Sequence, residues 1–157
     1  METLTNLTFD ELNVGDSYSS THKVDERGVQ LFAVVSGDHN PIHLDAEYAA
    51  TTRFGERIAH GMYTGALISA VLGMNFPGPG SIYVGQTLEF KRPVLLGDDI
   101  TVELSVKEKI EKGNRVILSC VLTNQNGKPV VTGEATVIAP TEKQELPAAA
   151  LPEITIG

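Results

Sequence analysis

Hydrophobic and polar residues alternate along most of the second half of this chain, the pattern of strands with one buried face. The clearest run is 101–110, where Val102, Leu104 and Val106 alternate with polar residues. Further runs show the same pattern: 81–91, 115–125 and 128–139. Asn126-Gly127, between the last two runs, is a strong signal for a tight hairpin turn. The second half therefore predicts an antiparallel meander.

The first half shows helical spacing after a short predicted strand at 14–23. Aspartates in N-cap positions begin two predicted helices, 25–35 and 45–53. A third predicted helix, 60–72, is apolar nearly all round and rich in small residues, which is typical of a buried helix. Helices followed by a meander predict an α+β fold, and the most economical packing wraps the sheet around this central helix.

The chain length and charge narrow the choice of architecture and partner. With 157 residues the chain is the size of one domain, which we place at 1–140. The segment 141–157 has no clear periodicity and is expected to be a loosely ordered C-terminal extension. The net charge of −8 disfavours nucleic-acid binding, which needs a basic surface.

Cysteine and histidine usage bear on location and cofactors. The single cysteine, Cys120, excludes an intramolecular disulfide framework and favours a reducing compartment, so we expect a cytoplasmic protein. The acidic, polar start does not resemble a signal peptide. The apolar window 58–76 contains polar residues and glycines, which favours a core helix over a membrane span. No C-x-x-C or H-E-x-x-H motif is present, so we expect neither a metal nor another cofactor.

The segment Ser36-Gly37-Asp38-His39-Asn40-Pro41-Ile42-His43 carries the chemistry that the sequence indicates. Pro41 disfavours helical backbone at Asn40, and Gly37 permits angles closed to other residues. The segment is therefore predicted to be a shaped turn rather than a regular helix. An aspartate and a histidine directed at one point from such a turn can activate a water molecule.

Several further motifs follow this turn in order: Leu44-Asp45, Ala49-Ala50-Thr51-Thr52, Ile58-Ala59-His60-Gly61-Met62, Pro77-Gly78-Pro79-Gly80-Ser81-Ile82-Tyr83, Leu88-Glu89-Phe90-Lys91-Arg92-Pro93-Val94 and Gly97-Asp98. With them, the chain from about 14 to 139 resembles the (R)-specific enoyl-CoA hydratases of the MaoC-like, hot-dog-fold superfamily. The resemblance implies a hot-dog fold, an antiparallel sheet wrapped around a central helix. It also implies a homodimer with continuous sheets, an acyl-CoA ligand held partly between subunits, and a place in polyhydroxyalkanoate precursor supply.

By this resemblance, the reaction is the reversible syn addition of water to a trans-2-enoyl-CoA, giving the (R)-3-hydroxyacyl-CoA. Asp38 is expected to act as the general base, and His43 to hold the same water and share in proton transfer. The backbone N–H of Gly61, at the start of the third helix, is expected to stabilise the thioester oxygen. Asn40 is expected to brace the turn, and Ser69 to lie near the catalytic aspartate.

Other assignments concern the rest of the ligand. Lys91 and Arg92 are candidates for contacting the CoA phosphates, although a basic pair at a strand end is often only solvated. Leu72 and Val137 could line the acyl pocket by their matching positions, although both are ordinary core residues. We expect His60 to support the start of the third helix rather than the chemistry.

Three alternatives remain open at this point. A hot-dog thioesterase would attack the thioester carbonyl instead of C3, and the Asp38–His43 spacing favours hydration. A 3-hydroxyacyl-CoA or carrier-protein dehydratase would run the same chemistry in reverse, and the acidic surface slightly favours CoA over an acidic carrier protein. A non-catalytic acyl-CoA-binding module would be expected to lack Asp38 or His43, and both are present.

Overall fold

The computed structural model describes residues 2–157 and has helices in the first half and long strands in the second. The helices are α1 (Glu26–Ser36), α2 (Pro41–Leu44), α3 (Ala46–Ala50) and α4 (Gly61–Met74). The strands are β1 (Thr3–Thr5), β2 (Ser17–Lys23), β3 (Ile82–Gln86), β4 (Glu89–Phe90), β5 (Asp99–Ile110), β6 (Arg115–Thr123), β7 (Pro129–Ile138) and β8 (Glu145–Pro147). The predicted α+β hot-dog class is confirmed.

The main sheet is antiparallel, with strand order β2-β5-β6-β7-β3, and β4 also pairs with β7. Alternate residues of β5 and β6 form its buried face. Leu104 of β5 pairs with Cys120 of β6, and both are buried, as is Leu118 of β6. Burial alternates strictly along β6, which explains why the sequence periodicity identified this strand. The predicted Asn126-Gly127 turn joins β6 to β7, and Gly127 has a φ of 72°.

One predicted strand, 81–91, is divided in the structure into β3 and β4. Thr87 lies in the interruption and makes two hydrogen bonds with Glu134 of β7, from its own N–H to Glu134 O and from Glu134 N–H to Thr87 Oγ1, both 2.9 Å. These bonds replace the regular ladder and bring the Thr87 backbone against Gly133. The break therefore comes from a contact between strands, which the alternation along the chain does not report.

Helix α4 is buried on one side only. Thr64, Ile68, Val71 and Leu72 face the hydrophobic core, whereas the opposite side, including Met62, is exposed in the single chain. The expectation of a helix buried all round is thus wrong for one chain, because the sheet covers only one of its sides. None of the helices among residues 2–157 has both the length and the apolar character needed to cross a lipid bilayer.

The segment 141–157 is more ordered at its beginning than we expected. Within it, β8 pairs with β1, so the two ends of the chain form a small two-stranded sheet. The buried Asn6 side chain strengthens this pairing by donating to Glu142 O and Pro79 O and by accepting from Gln144 N–H. A buried amide that saturates its hydrogen bonds in this way fixes the backbone around it. The domain boundary at residue 140 stays a prediction.

Candidate active site

Two helix ends position the candidate site: the end of α1, just before Asp38, and the start of α4, at Gly61. Helix α1 begins at its predicted cap, where Asp25 Oδ1 accepts from Gly28 N–H at 2.7 Å, and ends at Gly37, whose φ is 79°. The left-handed conformation of Gly37 turns the chain sharply, so that Asp38 follows directly after the helix. The predicted second helix also begins at its cap, Asp45, but ends at Ala50 rather than Arg53.

The segment between α1 and α3 contains one turn of helix that the sequence did not predict. Pro41 opens α2, and Asn40 caps it, its Oδ1 accepting from Ile42 N–H at 3.1 Å. Proline is compatible with the first position of a helix, where its missing N–H would have no intrahelical partner. The expectation of a non-helical turn was therefore wrong for 41–44, and this short helix carries His43.

Asp38 and His43 approach one another across the turn. Asp38 Oδ2 lies 3.8 Å from His43 Nε2, and Asn40 N–H donates to the other carboxylate oxygen, Oδ1, at 3.2 Å. The separation is too long for a direct hydrogen bond, but one water molecule about 2.8 Å from each atom can bridge them. The Asp38 side chain is 52% exposed and that of His43 only 9%, so the water would sit at the opening of a largely buried site.

The hydrogen bonding of His43 decides which of its nitrogens can accept a proton. His43 Nδ1 lies 2.7 Å from Ile58 O, and a carbonyl oxygen can only accept, so Nδ1 carries the hydrogen. In the neutral ring, Nε2 is then an unprotonated acceptor facing Asp38. Two acceptors on one side of a water molecule can take its protons and direct an oxygen lone pair outwards, as a nucleophile requires.

Gly61 is the first residue of α4, where the N–H group has no intrahelical partner and the helix dipole favours negative charge. Among the described residues no acceptor is found for this N–H. The ring of Phe90 packs against Gly61 so closely that an added Cβ would lie 3.0 Å from Phe90 Cε1. A free donor and a close packing contact thus coexist at this position.

A groove of about 310 Å³, which we name the basic groove, is lined by residues that include Arg53, His60, Gly61, Phe90, Lys91 and Arg92. Both predicted phosphate contacts therefore border it. Lys91 is paired with Glu89, and Arg92 Nη1 donates to Pro129 O at 2.6 Å.

Arg53 was not identified from the sequence, because nothing along the chain connects it to residues 91 and 92. Its guanidinium lies 5.2 Å from the Phe54 ring centre. It makes no ion pair with any residue in 2–157. Of the three cations on the basic groove, Arg53 is the one most available to an anion.

The structure does not show the remaining predicted site residues in contact with Asp38 or His43. Ser69 lies on the exposed side of α4, in an apolar hollow beside Phe32, Met62 and Tyr83, and makes no hydrogen bond to Asp38 within the described chain. Leu72 and Val137 are both buried in the hydrophobic core. Their roles beside the aspartate and the acyl chain stay predictions.

One group of side chains in 2–157 has the composition of a metal site: Asp38, His43 and His60, with one potential ligand atom from each within 4.8 Å of the others. The two rings, however, stack with centroids 3.8 Å apart and planes 25° from parallel. Imidazole lone pairs lie in the ring plane, so nearly parallel stacked rings do not direct them at a common ion. The arrangement suits a bridging water better than a metal, and the absence of a metal stays a prediction.

Comparisons with known proteins show which family this chain belongs to. A family model described as "MaoC like domain" matches residues 12–126. The unliganded R-hydratase PhaJ1 from Pseudomonas aeruginosa is 56% identical, with a TM-score of 0.96 over 99% of this chain and 100% of that one. An (R)-specific enoyl-CoA hydratase from Rhodospirillum rubrum is 44% identical over 84% of this chain and 91% of its own length.

A 3-hydroxybutyryl-CoA dehydratase from Methylorubrum extorquens is 43% identical over 91% of this chain and 90% of its own length. The names of these relatives describe the two directions of one reaction, hydration and dehydration. The family model covers most of the chain, including Asp38, His43 and Gly61. The chain therefore belongs to the MaoC-like domain family.

Proposed function

We propose that this protein is a hydro-lyase that adds water to trans-2-enoyl-CoA and forms (R)-3-hydroxyacyl-CoA. The observation that carries the proposal is the 3.8 Å gap between Asp38 Oδ2 and His43 Nε2, with the free N–H of Gly61 at the start of α4. The relatives named as R-hydratases and as a CoA dehydratase support the same reaction class. We also propose that the enzyme is cytoplasmic, because its single cysteine, Cys120, favours a reducing compartment.

In this mechanism the water between Asp38 and His43 loses a proton as its oxygen bonds to C3. The electron pair of the C2–C3 double bond moves toward the thioester, whose oxygen gains negative charge. The Gly61 N–H donates to that oxygen; removing one such donor typically costs about 10²–10³-fold in rate. The proton then reaches C2 from the same face, so water is added syn and nothing else is consumed.

The direct test follows the loss of the conjugated-thioester absorbance when purified protein is added to crotonyl-CoA, with chiral analysis of the product. The proposal expects (R)-3-hydroxybutyryl-CoA and no release of free thiol. Free CoA with an unhydrated acyl group would instead indicate a thioesterase. The (S) product would contradict the proposed face of addition, and an unchanged substrate, also with longer enoyl chains, would leave a binding module as the better account.

The basic groove supports an acyl carrier that bears phosphates, as CoA does. The chain has a net charge of −8, yet the groove brings Arg53, Lys91 and Arg92 together next to His60 and Gly61. A guanidinium can bind a phosphate through two parallel hydrogen bonds, and CoA carries phosphates that a pantetheine thioester lacks.

Replacing Arg53 with Ala is therefore expected to raise KM for crotonyl-CoA by about tenfold, since a hydrogen bond to a charged group contributes about 1.5 kcal/mol. KM for crotonyl-pantetheine should stay unchanged. Arg57→Ala is the matched control, because Arg57 is paired with Glu26 and does not line the groove. An equal rise in KM for both thioesters would show that Arg53 does not contact the phosphates.

We further propose that two copies form a homodimer through β3 and the exposed side of α4. On the described chain, β3 pairs with β7 along one edge only, and its other edge has no strand partner. An unpaired edge strand beside an apolar helix side favours association with a second copy. Six of the fourteen exposed large apolar residues of the described chain lie on these elements and on β4: Met62, Met74, Ile82, Tyr83, Val84 and Phe90.

Light scattering on the purified protein should then give about twice the chain mass of 16.8 kDa. Val84→Asp, in the middle of β3, should shift the protein toward monomer because it places a charge in the proposed interface. Val14→Asp also puts a charge on an exposed valine, but Val14 precedes β2 at the opposite edge of the sheet, so this variant should stay dimeric. A monomeric wild-type protein at assay concentration would refute the dimer.

A further inference from the structure

His60 has contacts that the helix it begins does not require. It occupies the N-cap of α4, a position where serine, threonine, aspartate and asparagine usually bond the first turn. The His60 side chain makes no such capping bond. The side chain therefore does not support the helix start as a cap, although the residue is only 3% exposed.

The ring instead ties the helix start to the catalytic turn. His60 Nε2 lies 2.9 Å from the backbone oxygen of Asp38, and since that oxygen can only accept, Nε2 carries the hydrogen. Residue 60 directly precedes Gly61. One hydrogen bond thus fixes the backbone of the proposed base relative to the proposed oxyanion donor.

The same ring also sets the orientation of His43. The two imidazoles stack with centroids 3.8 Å apart, and Phe32 of α1 packs on His60 at 4.9 Å. His43 is otherwise held by one hydrogen bond, from Nδ1 to Ile58 O, about which a ring could rotate. The stack removes that freedom and keeps His43 Nε2 directed at Asp38.

The remaining nitrogen indicates the protonation state of His60. Nδ1 is buried and has no hydrogen-bond partner within residues 2–157. Because Nε2 carries the hydrogen, an Nδ1 without one leaves no buried N–H without an acceptor, so the neutral Nε2–H tautomer fits these contacts. A neutral ring can position its neighbours without competing for the proton of the water.

We propose that His60 is a positioning residue that holds Asp38 and His43 in register with the Gly61 N–H. The inference rests on the proposed hydration reaction, because it assigns the three positioned groups their roles in that reaction. It predicts that His60 acts on kcat more than on ligand binding, since the contacts of its ring are with Asp38 and His43.

Two variants separate the two contacts. His60→Gln keeps an N–H donor for Asp38 O and loses the stack, whereas His60→Phe keeps an aromatic ring and loses the donor. Each is expected to lower kcat for crotonyl-CoA by about ten- to hundredfold, the range that a small misplacement of catalytic groups costs. KM and the Kd of unreactive butyryl-CoA should change less than about threefold. His39→Phe, an exposed ring in the same turn, should match wild type.

Wild-type kcat in both variants would overturn the inference. So would a loss of butyryl-CoA binding in step with kcat, which would indicate a general structural role. ¹⁵N spectra of the wild-type imidazoles supply a readout independent of activity: His60 should be the neutral Nε2–H tautomer, and an Nδ1–H tautomer would also refute the inference. If His60 has the expected tautomer but the protein hydrates no enoyl-CoA, the contacts of His60 stand and the proposed reaction is refuted instead.

Discussion

Replacing Asp38 with Asn is expected to lower kcat for crotonyl-CoA hydration by about 10²–10⁴-fold, the usual contribution of a positioned general base. The amide has nearly the same shape, and its oxygen can still accept from Asn40 N–H, as the carboxylate does now. What it loses is the ability to take a proton from the water shared with His43. Initial rates at saturating substrate measure this effect directly.

The side chain of Asp38 is about half exposed, so its replacement should leave the melting temperature close to that of wild type. Asp45→Asn is a matched control in the next helix cap. Asp45 accepts from Tyr48 N–H, and asparagine caps a helix about as well as aspartate does. If Asp38→Asn keeps more than a tenth of the wild-type kcat, Asp38 is not the general base.

The sequence was most informative where one residue type sets the local conformation. Asp25 begins α1 as predicted, and Gly37 ends it, so Asp38 lies directly after that helix. Pro41 misled the prediction because its effect depends on position: it stops a helix that is under way, but it can open one. Here Pro41 opens a helix, because Asn40 Oδ1 caps it by accepting from Ile42 N–H. An asparagine directly before a proline was the sequence signal that could have predicted this helix start.

The sequence was less informative where groups meet through the tertiary fold. Arg53 and Lys91 border one groove although nearly forty positions separate them, and no pattern along the chain connects them. The role of His60 depends on a hydrogen bond to a residue 22 positions earlier. Its one local signal is the presence of histidine at an N-cap, where other residues are preferred. The side of α4 on which Ser69 lies could not be predicted either, since helical spacing does not say which side of α4 the sheet covers; its expected place near Asp38 stays a prediction.

The largest stability effect is expected at a residue far from the chemistry, Gly133 of β7. A Cβ added there would lie 1.9 Å from the backbone oxygen of Thr87, far inside any allowed contact. The obstruction is backbone, so no side chain can move aside. Gly133→Ala should therefore lower the free energy of unfolding by about 3 kcal/mol, the upper end of the usual cost of overpacking, and the melting temperature by roughly 10 °C.

Gly85→Ala provides a control of the same chemistry on the neighbouring strand. Gly85 pairs with Thr136 of β7, and an added Cβ there would meet nothing within 4 Å, so its melting temperature should stay near that of wild type. The comparison also tests how the fold positions the site. Thr87 leads into β4, where Phe90 packs on Gly61, so a forced shift at Thr87 should move Phe90 as well. Gly133→Ala should then lower hydration activity even at temperatures where it remains folded, whereas equal activity would show that β4 moves independently of Gly133.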